Sequence, residues 1–146
     1  MITVEKSIFI NRSQAEVFDF VSDPNNSPKW QKQFLSIGWK SEKPHGVGST
    51  QHSVTRFLGR DIETIVQITF WDPPNKFTYK SVSGPFPIEG GTICEREGSG
   101  TKVTLVGQGD IGGFFKLAEG MVKKQLESQF LTNLGALKTV LEAGSE

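Results

Sequence analysis

From Gly113 to Glu142 the sequence contains no proline, and Phe114, Ala118, Met121, Val122, Leu126, Phe130, Leu134, Leu137 and Leu141 recur at three- and four-residue steps. That spacing predicts one apolar face of a single long helix, about 45 Å in length at a rise of ~1.5 Å per residue. Lys123, Lys124, Glu127, Ser128 and Lys138 fall on the other side. Gly120 and Gly135 interrupt this helix, each costing up to ~1 kcal/mol relative to alanine. They read either as tolerated weak points or as places of close packing or bending beside a cavity.

Everything upstream is shorter and more broken. Thr3 to Ile10 reads as a strand. Ser13-Gln14-Ala15-Glu16 forms a capping box, in which the Ser13 hydroxyl accepts an early helix N–H and Glu16 reaches back to the Ser13 amide. Val17, Phe18, Phe20 and Val21 follow at helical spacing. Asp23-Pro24 ends this short helix, and Ser27-Pro28 reads as the start of a second one that carries Trp30. Strand patterns then run over Phe34 to Lys43, Ser49 to Phe57, Asp61 to Trp71, Phe77 to Val82, Ile88 to Glu97 and Thr101 to Gly107. Leu58-Gly59, Asp72-Pro73-Pro74-Asn75-Lys76, Ser83-Gly84-Pro85 and Gly98-Ser99-Gly100 punctuate them as turns. Loops this short imply antiparallel neighbours.

A hairpin turning at Leu58-Gly59 places Gln51, Ser53, Thr55 and Phe57 on one face with Ile62, Thr64, Val66 and Ile68. Thr50, His52, Val54, Arg56, Asp61, Glu63, Ile65 and Gln67 share the other. The first set carries no charge and is assigned inward. It is polar for a packed core, since Gln51, Ser53, Thr55 and Thr64 each need a hydrogen-bond partner when buried. A cavity holding water or a ligand supplies such partners; an inner face open to solvent at one end is the alternative.

With 146 residues the chain is expected to form a single domain, residues 1–146, with a core that needs no staples. Sixteen basic residues balance sixteen acidic ones, and a net charge of zero argues against a nucleic-acid or anionic-membrane binder. Cys94 is the only cysteine, which excludes an internal disulfide and a Cys-rich zinc site. The start, MITVEKSIFIN, lacks the features of a secretory signal, and no apolar run approaches a membrane span. The expectation is a soluble, cytoplasmic protein.

The order strand, two short helices, six strands and long helix resembles the START-like (SRPBCC, birch-pollen-allergen-like) superfamily, and within it the polyketide cyclase/dehydrase-like proteins. The likeness spans essentially the whole chain. It is carried by the N-terminal strand with Ala15-Glu16-Val17-Phe18-Asp19-Phe20-Val21-Ser22-Asp23 and Trp30. Gly46-Val47-Gly48-Ser49, Asp72-Pro73-Pro74, Ser83-Gly84-Pro85, Gly100-Thr101-Lys102-Val103-Thr104 and the Leu134-to-Leu141 segment complete it. The resemblance implies an α+β helix-grip fold: a curved seven-stranded antiparallel sheet wrapped around the long C-terminal helix, with two short helices after the first strand. It also implies a hydrophobic cavity between sheet and helix. Members bind or process hydrophobic small molecules such as lipids, sterols, polyketides and plant hormones, and the fold alone does not decide which.

Several motifs point elsewhere and are weighed on their chemistry. Gly107-Gln108-Gly109-Asp110-Ile111-Gly112 matches a dinucleotide fingerprint, but such a site needs a following parallel strand and the chain ends with this helix. The glycines are read as bending the strand's exit, and no cofactor is expected. His45, His52 and Cys94 are too few for a metal site, and the shortage of imidazoles also weakens a nucleophilic triad. Asp61 and Glu63 share the outward face beside Arg56 and Arg60, as a solvated charge ladder. Glu89 and Glu95 lie on a strand of unassigned facing.

The expected cavity lining is Trp30, Gln51, Ser53, Phe57, Thr64, Val66, Ile68, Phe86, Phe114, Met121, Val122 and Gln125, with Ser53 and Gln125 orienting a polar ligand group. The first functional expectation is a binding protein for a hydrophobic or amphipathic small molecule, lipid- or polyketide-like. The second is a polyketide cyclase/aromatase or dehydratase using the same cavity, with Glu89, Glu95 or His52 as acid or base. A third is a partner-binding module in which Phe86-Pro87 and the Gly84–Gly91 loop act as a lid; an ordinary strand connection explains that loop too. Catalytic residues, ligand identity and oligomeric state are left open by the sequence.

Overall fold

The computed structural model describes residues 1–144. Strand β1 (Ile2–Ile10) leads into helix α1 (Gln14–Val21) and a 3₁₀ helix (Pro24–Lys29). Six further strands follow: β2 (Phe34–Trp39), β3 (Thr50–Phe57), β4 (Arg60–Asp72), β5 (Lys76–Ser83), β6 (Ile88–Glu97) and β7 (Gly100–Gly109). The chain ends in a short helix, α2 (Gly112–Phe115), and the long helix α3 (Glu119–Ala143). The strands form one seven-stranded antiparallel sheet in the order β1-β7-β6-β5-β4-β3-β2. Consecutive hairpins build β2 to β7, and β1 returns to the free edge of β7, pairing Ile2 with Gly109 and Ile10 with Thr101.

Local chemistry explains most of these boundaries. The Ser13 hydroxyl caps α1 by accepting the Glu16 amide at 3.3 Å. The return half of the expected capping box is replaced: the Glu16 carboxylate lies 3.5 Å from the Arg12 guanidinium. The second short helix starts earlier than its sequence suggests. Asp23 caps it by accepting the Asn25 amide at 2.9 Å, Pro24 takes the first position and Pro28 lies inside. Proline at the first turn is tolerated because that N–H has no helical partner anyway. Trp30 therefore closes the helix rather than riding on it. At the β3–β4 hairpin, Leu58 (φ 50°) and Gly59 (φ 77°) both adopt left-handed conformations, the pair that a two-residue turn requires to match the strand twist. Register breaks at Ile65/Val66 and Ile68/Phe70 in β4 locally increase bend and twist, which helps curl the sheet.

The single long helix expected from Gly113 is broken. Lys116 sits at φ 56° and Ala118 is extended, so α2 and α3 are separate, and α3 has 25 residues, about 37 Å. No glycine or proline marks the break in Phe115-Lys116-Leu117-Ala118, which is why periodicity alone ran through it. The helical phase of Phe114 and Ala118 consequently does not carry into α3. Its buried stripe comprises Val122, Asn133, Leu134, Leu137 and Leu141, while Met121 is 56% exposed. Neither Gly120 nor Gly135 has any atom within 4 Å of where a Cβ would sit, so both are weak points rather than close-packing sites.

The main core lies at one end of the grip. Ile10, Val17, Phe18, Val21, Trp30, Ile68, Phe77, Cys94 and Val103 pack there against Leu134, Leu137 and Leu141 of α3. Phe18 anchors it with edge contacts to Trp71 (5.7 Å) and Phe77 (6.0 Å). A smaller cluster of Ile2, Val4 and Val122 ties the start of α3 to β1, with Leu126 and Phe130 packed against it. Between these two clusters the sheet and helix separate.

Candidate functional site

The space they leave is a cavity of about 240 Å³. Its long wall is the concave face of the sheet. Gln51, Ser53, Thr55 and Phe57 of β3 and Ile62, Thr64, Val66 and Ile68 of β4 all line it, so the face assigned inward from the alternation is the inner one. The pairing sets Gln51 opposite Val66, Ser53 opposite Thr64 and Thr55 opposite Ile62. Tyr79 of β5, Thr92 of β6 and Leu105 of β7 continue the wall, and Leu126, Gln129, Phe130 and Asn133 of α3 form the roof. Trp30 closes one end beside the 3₁₀ helix; Phe57, Phe86 and Ile111 stand at the other.

Glycines determine how close the walls come. A Cβ on Gly90 would run into the Val106 carbonyl and lie 2.9 Å from the Tyr79 hydroxyl, so Tyr79 reaches across a space that only glycine leaves. A Cβ on Gly107 would lie 3.0 Å from the Phe130 ring, so the absent side chain makes room for the roof. Gly109 is crowded in the same way by Ile88, the Pro87 carbonyl and Ile111. Gly107 and Gly109 lie within β7, paired antiparallel to β1 and β6, and their spacing serves sheet and helix packing.

Of the expected lining residues, Trp30, Gln51, Ser53, Phe57, Thr64, Val66, Ile68 and Phe86 are brought together around the cavity. Four are placed elsewhere. Phe114 stands behind the lining, its ring 5.1 Å from Phe86 and 4.9 Å from Phe115, with the Arg60 guanidinium 4.2 Å above it. Met121 and Gln125 point to solvent, and Val122 is buried against Ile2 and Val4. The break at Lys116 detaches Phe114 from α3, whose residues at the cavity are Leu126, Gln129, Phe130 and Asn133. Gln129 and Asn133 were missed because polar residues on a helix are ordinarily assigned to its wet side. The Asn133 amide is held by the Gln33 side-chain oxygen at 3.0 Å, which links roof to floor.

The candidate acids and bases are not in the cavity. Glu89 is exposed and hydrogen-bonded to Gln108, and Glu95 is exposed. The His52 imidazole is on the outer face, 2.7 Å from the Glu63 carboxylate. Asp61 there pairs with Arg56 at 2.8 Å, which holds its carboxyl below the usual carboxylate range. His45 stacks on Trp39 at 3.8 Å and bonds the Ser41 carbonyl at 3.0 Å. Cys94 is buried in the core, where desolvation pushes its thiol up to about 12. No cluster of three or more metal-ligating side chains occurs among the described residues.

Among the lining residues Tyr79 alone carries a titratable side chain, and burial raises its phenol above the ordinary value. At neutral pH the lining is therefore uncharged. It combines aromatic and aliphatic surface with neutral amides and hydroxyls. The Trp30 indole N–H has no acceptor, the one buried side-chain polar atom so placed among the described residues. Such an orphan costs about 1–3 kcal/mol.

A curved sheet gripping a terminal helix around a neutral, largely apolar cavity defines the helix-grip class of folds, of the birch-pollen-allergen and START type. Within that class the chain belongs to the polyketide cyclase/dehydrase and lipid transport family, whose model matches residues 1–142. Among curated proteins, none matches the sequence. Solved structures share the fold at low identity. TTHA0849 from Thermus thermophilus superposes with a TM-score of 0.82 at 20% identity, covering 99% of this chain and 99% of that one. A START superfamily protein from Mycobacterium smegmatis gives 0.78 at 17%, covering 97% of each. The Zhui aromatase/cyclase from a Streptomyces species gives 0.76 at 15%, covering 99% of this chain and 95% of that one. No helix among the described residues is long and apolar enough to cross a membrane.

Proposed function

We propose that the protein binds a hydrophobic or amphipathic small molecule, lipid- or polyketide-like, in the cavity between its sheet and α3. The observation that carries this reading is the cavity itself, about 240 Å³ with an uncharged lining of aromatic, aliphatic, amide and hydroxyl groups. Ligand pockets are typically lined in this way, with a few polar groups fixing orientation, in volumes from ~300 Å³ upward. The cavity lies just below that range and suits a compact ligand. The test is native mass spectrometry of protein purified from its own cells, followed by organic extraction. A stoichiometric bound species is expected. Failure of every hydrophobic compound in a broad panel to bind the purified protein would overturn the reading.

A second reading, proton transfer on a bound poly-β-keto chain, is favoured by the family and by one residue. Tyr79, protonated at neutral pH and with its phenol raised further by burial, suits a hydrogen-bond donor to a substrate carbonyl rather than a base. Absence of turnover across a panel of poly-β-keto substrates would remove this reading, and turnover that survives Tyr79→Phe unchanged would remove Tyr79 from it.

A further inference from the structure

We infer that the cavity selects uncharged ligands bearing a hydrogen-bond acceptor, which the Tyr79 hydroxyl meets, and rejects carboxylates. This rests on the ligand-binding reading above and narrows it.

Charge comes first. No Asp, Glu, Lys, Arg or His is among the residues lining the cavity. Outside the lining, the Arg60 guanidinium lies over the Phe114 ring and Lys6 faces Glu127 at 3.4 Å. A carboxylate entering this space would lose its hydration with no counter-charge to replace it, which costs several kcal/mol even in relaxed proteins. A ketone, ester or ether of the same size avoids that penalty.

Geometry then singles out Tyr79. Its backbone is paired between β4 and β6, opposite Ile68 on one side and Gly90 on the other. Its side chain lies across the bare Gly90 backbone, which fixes where the hydroxyl can be. Burial raises its phenol above the ordinary value, so the hydroxyl keeps its proton at neutral pH and can donate it in a hydrogen bond. Gln51, Ser53, Thr64 and Gln129 supply further neutral donors and acceptors around the same space. A donor on a rigid strand facing an uncharged cavity is an orienting device for a carbonyl.

The test uses three compounds of nearly one shape: 2-acetylnaphthalene, 2-naphthoate and 2-ethylnaphthalene. Their affinities are measured by equilibrium dialysis at neutral pH, on the intact protein and on Tyr79→Phe. The ketone is expected to bind about tenfold or more tightly than the carboxylate. Tyr79→Phe should weaken the ketone roughly three- to tenfold, the size of one hydrogen bond, and leave the ethyl compound unchanged. The unchanged ethyl compound also shows that the variant is folded with its cavity intact. Equal or tighter binding of the carboxylate overturns the inference while leaving ligand binding standing. Equal losses for ketone and ethyl compound overturn the role of the hydroxyl. If none of the three binds, this inference is overturned, and the broad hydrophobic panel decides the wider reading.

Discussion

At the scale of single residues the cavity depends on what is missing as much as on what is present. Gly90→Ala would place a methyl group against the Val106 carbonyl and the Tyr79 hydroxyl. We expect a loss of about 1–3 kcal/mol in chemical denaturation, the usual cost of overpacking, together with weaker ligand binding. Cys94 gives a pH signature. Its thiol is raised from 9.0 to about 12 in the folded protein. Below the ordinary value both states are protonated and nothing is lost. Between pH 9 and 12 the unfolded thiol ionises while the folded one does not, so stability falls as pH rises, by about 1.4 kcal/mol per pH unit. Between pH 8 and pH 10.5 the native protein should therefore lose about 2 kcal/mol more than Cys94→Ala. Equal losses would show that the thiol is not desolvated. The inward residues of β3 and β4 were legible because a two-residue turn fixes register and strand alternation fixes facing. Tyr79 was legible only as an aromatic; its exposure to the cavity depends on Gly90, a neighbour across the sheet that no local pattern connects to it.

At the scale of elements the strands were read well and the helices less so. β2, expected to run to Lys43, stops at Trp39, where no such turn stands, but most strand boundaries coincide with glycine and proline turns, where backbone geometry is dictated locally. Gly59, at φ 77°, is such a position, and Gly59→Ala should destabilise the protein by about 1 kcal/mol even though nothing lies near the new methyl group. Gly135 in α3 makes the opposite case. It is helical, a methyl group there meets nothing within 4 Å, and Gly135→Ala should stabilise by up to about 1 kcal/mol, raising the midpoint of thermal unfolding by a few degrees. A decrease would mean that the helix bends there in solution. The break at Lys116 was not legible, because no helix-breaking residue marks it; Phe114 and Phe115 beside it pack against Phe86 and Phe57, which are remote in sequence. That break took Phe114 off the helix; within α3 Met121 and Gln125 lie on the exposed side and Val122 packs against Ile2 and Val4.

At the scale of the whole molecule, a ligand held in the cavity is bound by the folded state alone and adds to its stability in proportion to occupancy. Saturation at one hundred times Kd is worth about 2.7 kcal/mol. Protein freed of its ligand by extraction and refolding should accordingly unfold at lower temperature than protein taken directly from its cells, and re-addition of the extract should restore the difference. An unchanged midpoint would mean that nothing was bound. The sheet order has a consequence of another kind. β1 pairs with β7, so Ile2 must find Gly109 and Ile10 must find Thr101 across most of the chain. During synthesis β1 is made long before its partner, and its apolar members Ile2, Val4 and Ile8 wait uncovered while the ribosome completes the intervening hairpins. The β2-to-β7 meander can zip up locally, but docking of β1 and α3 is a late, long-range event. Until β7 and α3 have both been made, the cavity lacks part of its wall and all of its roof, so no ligand can be held.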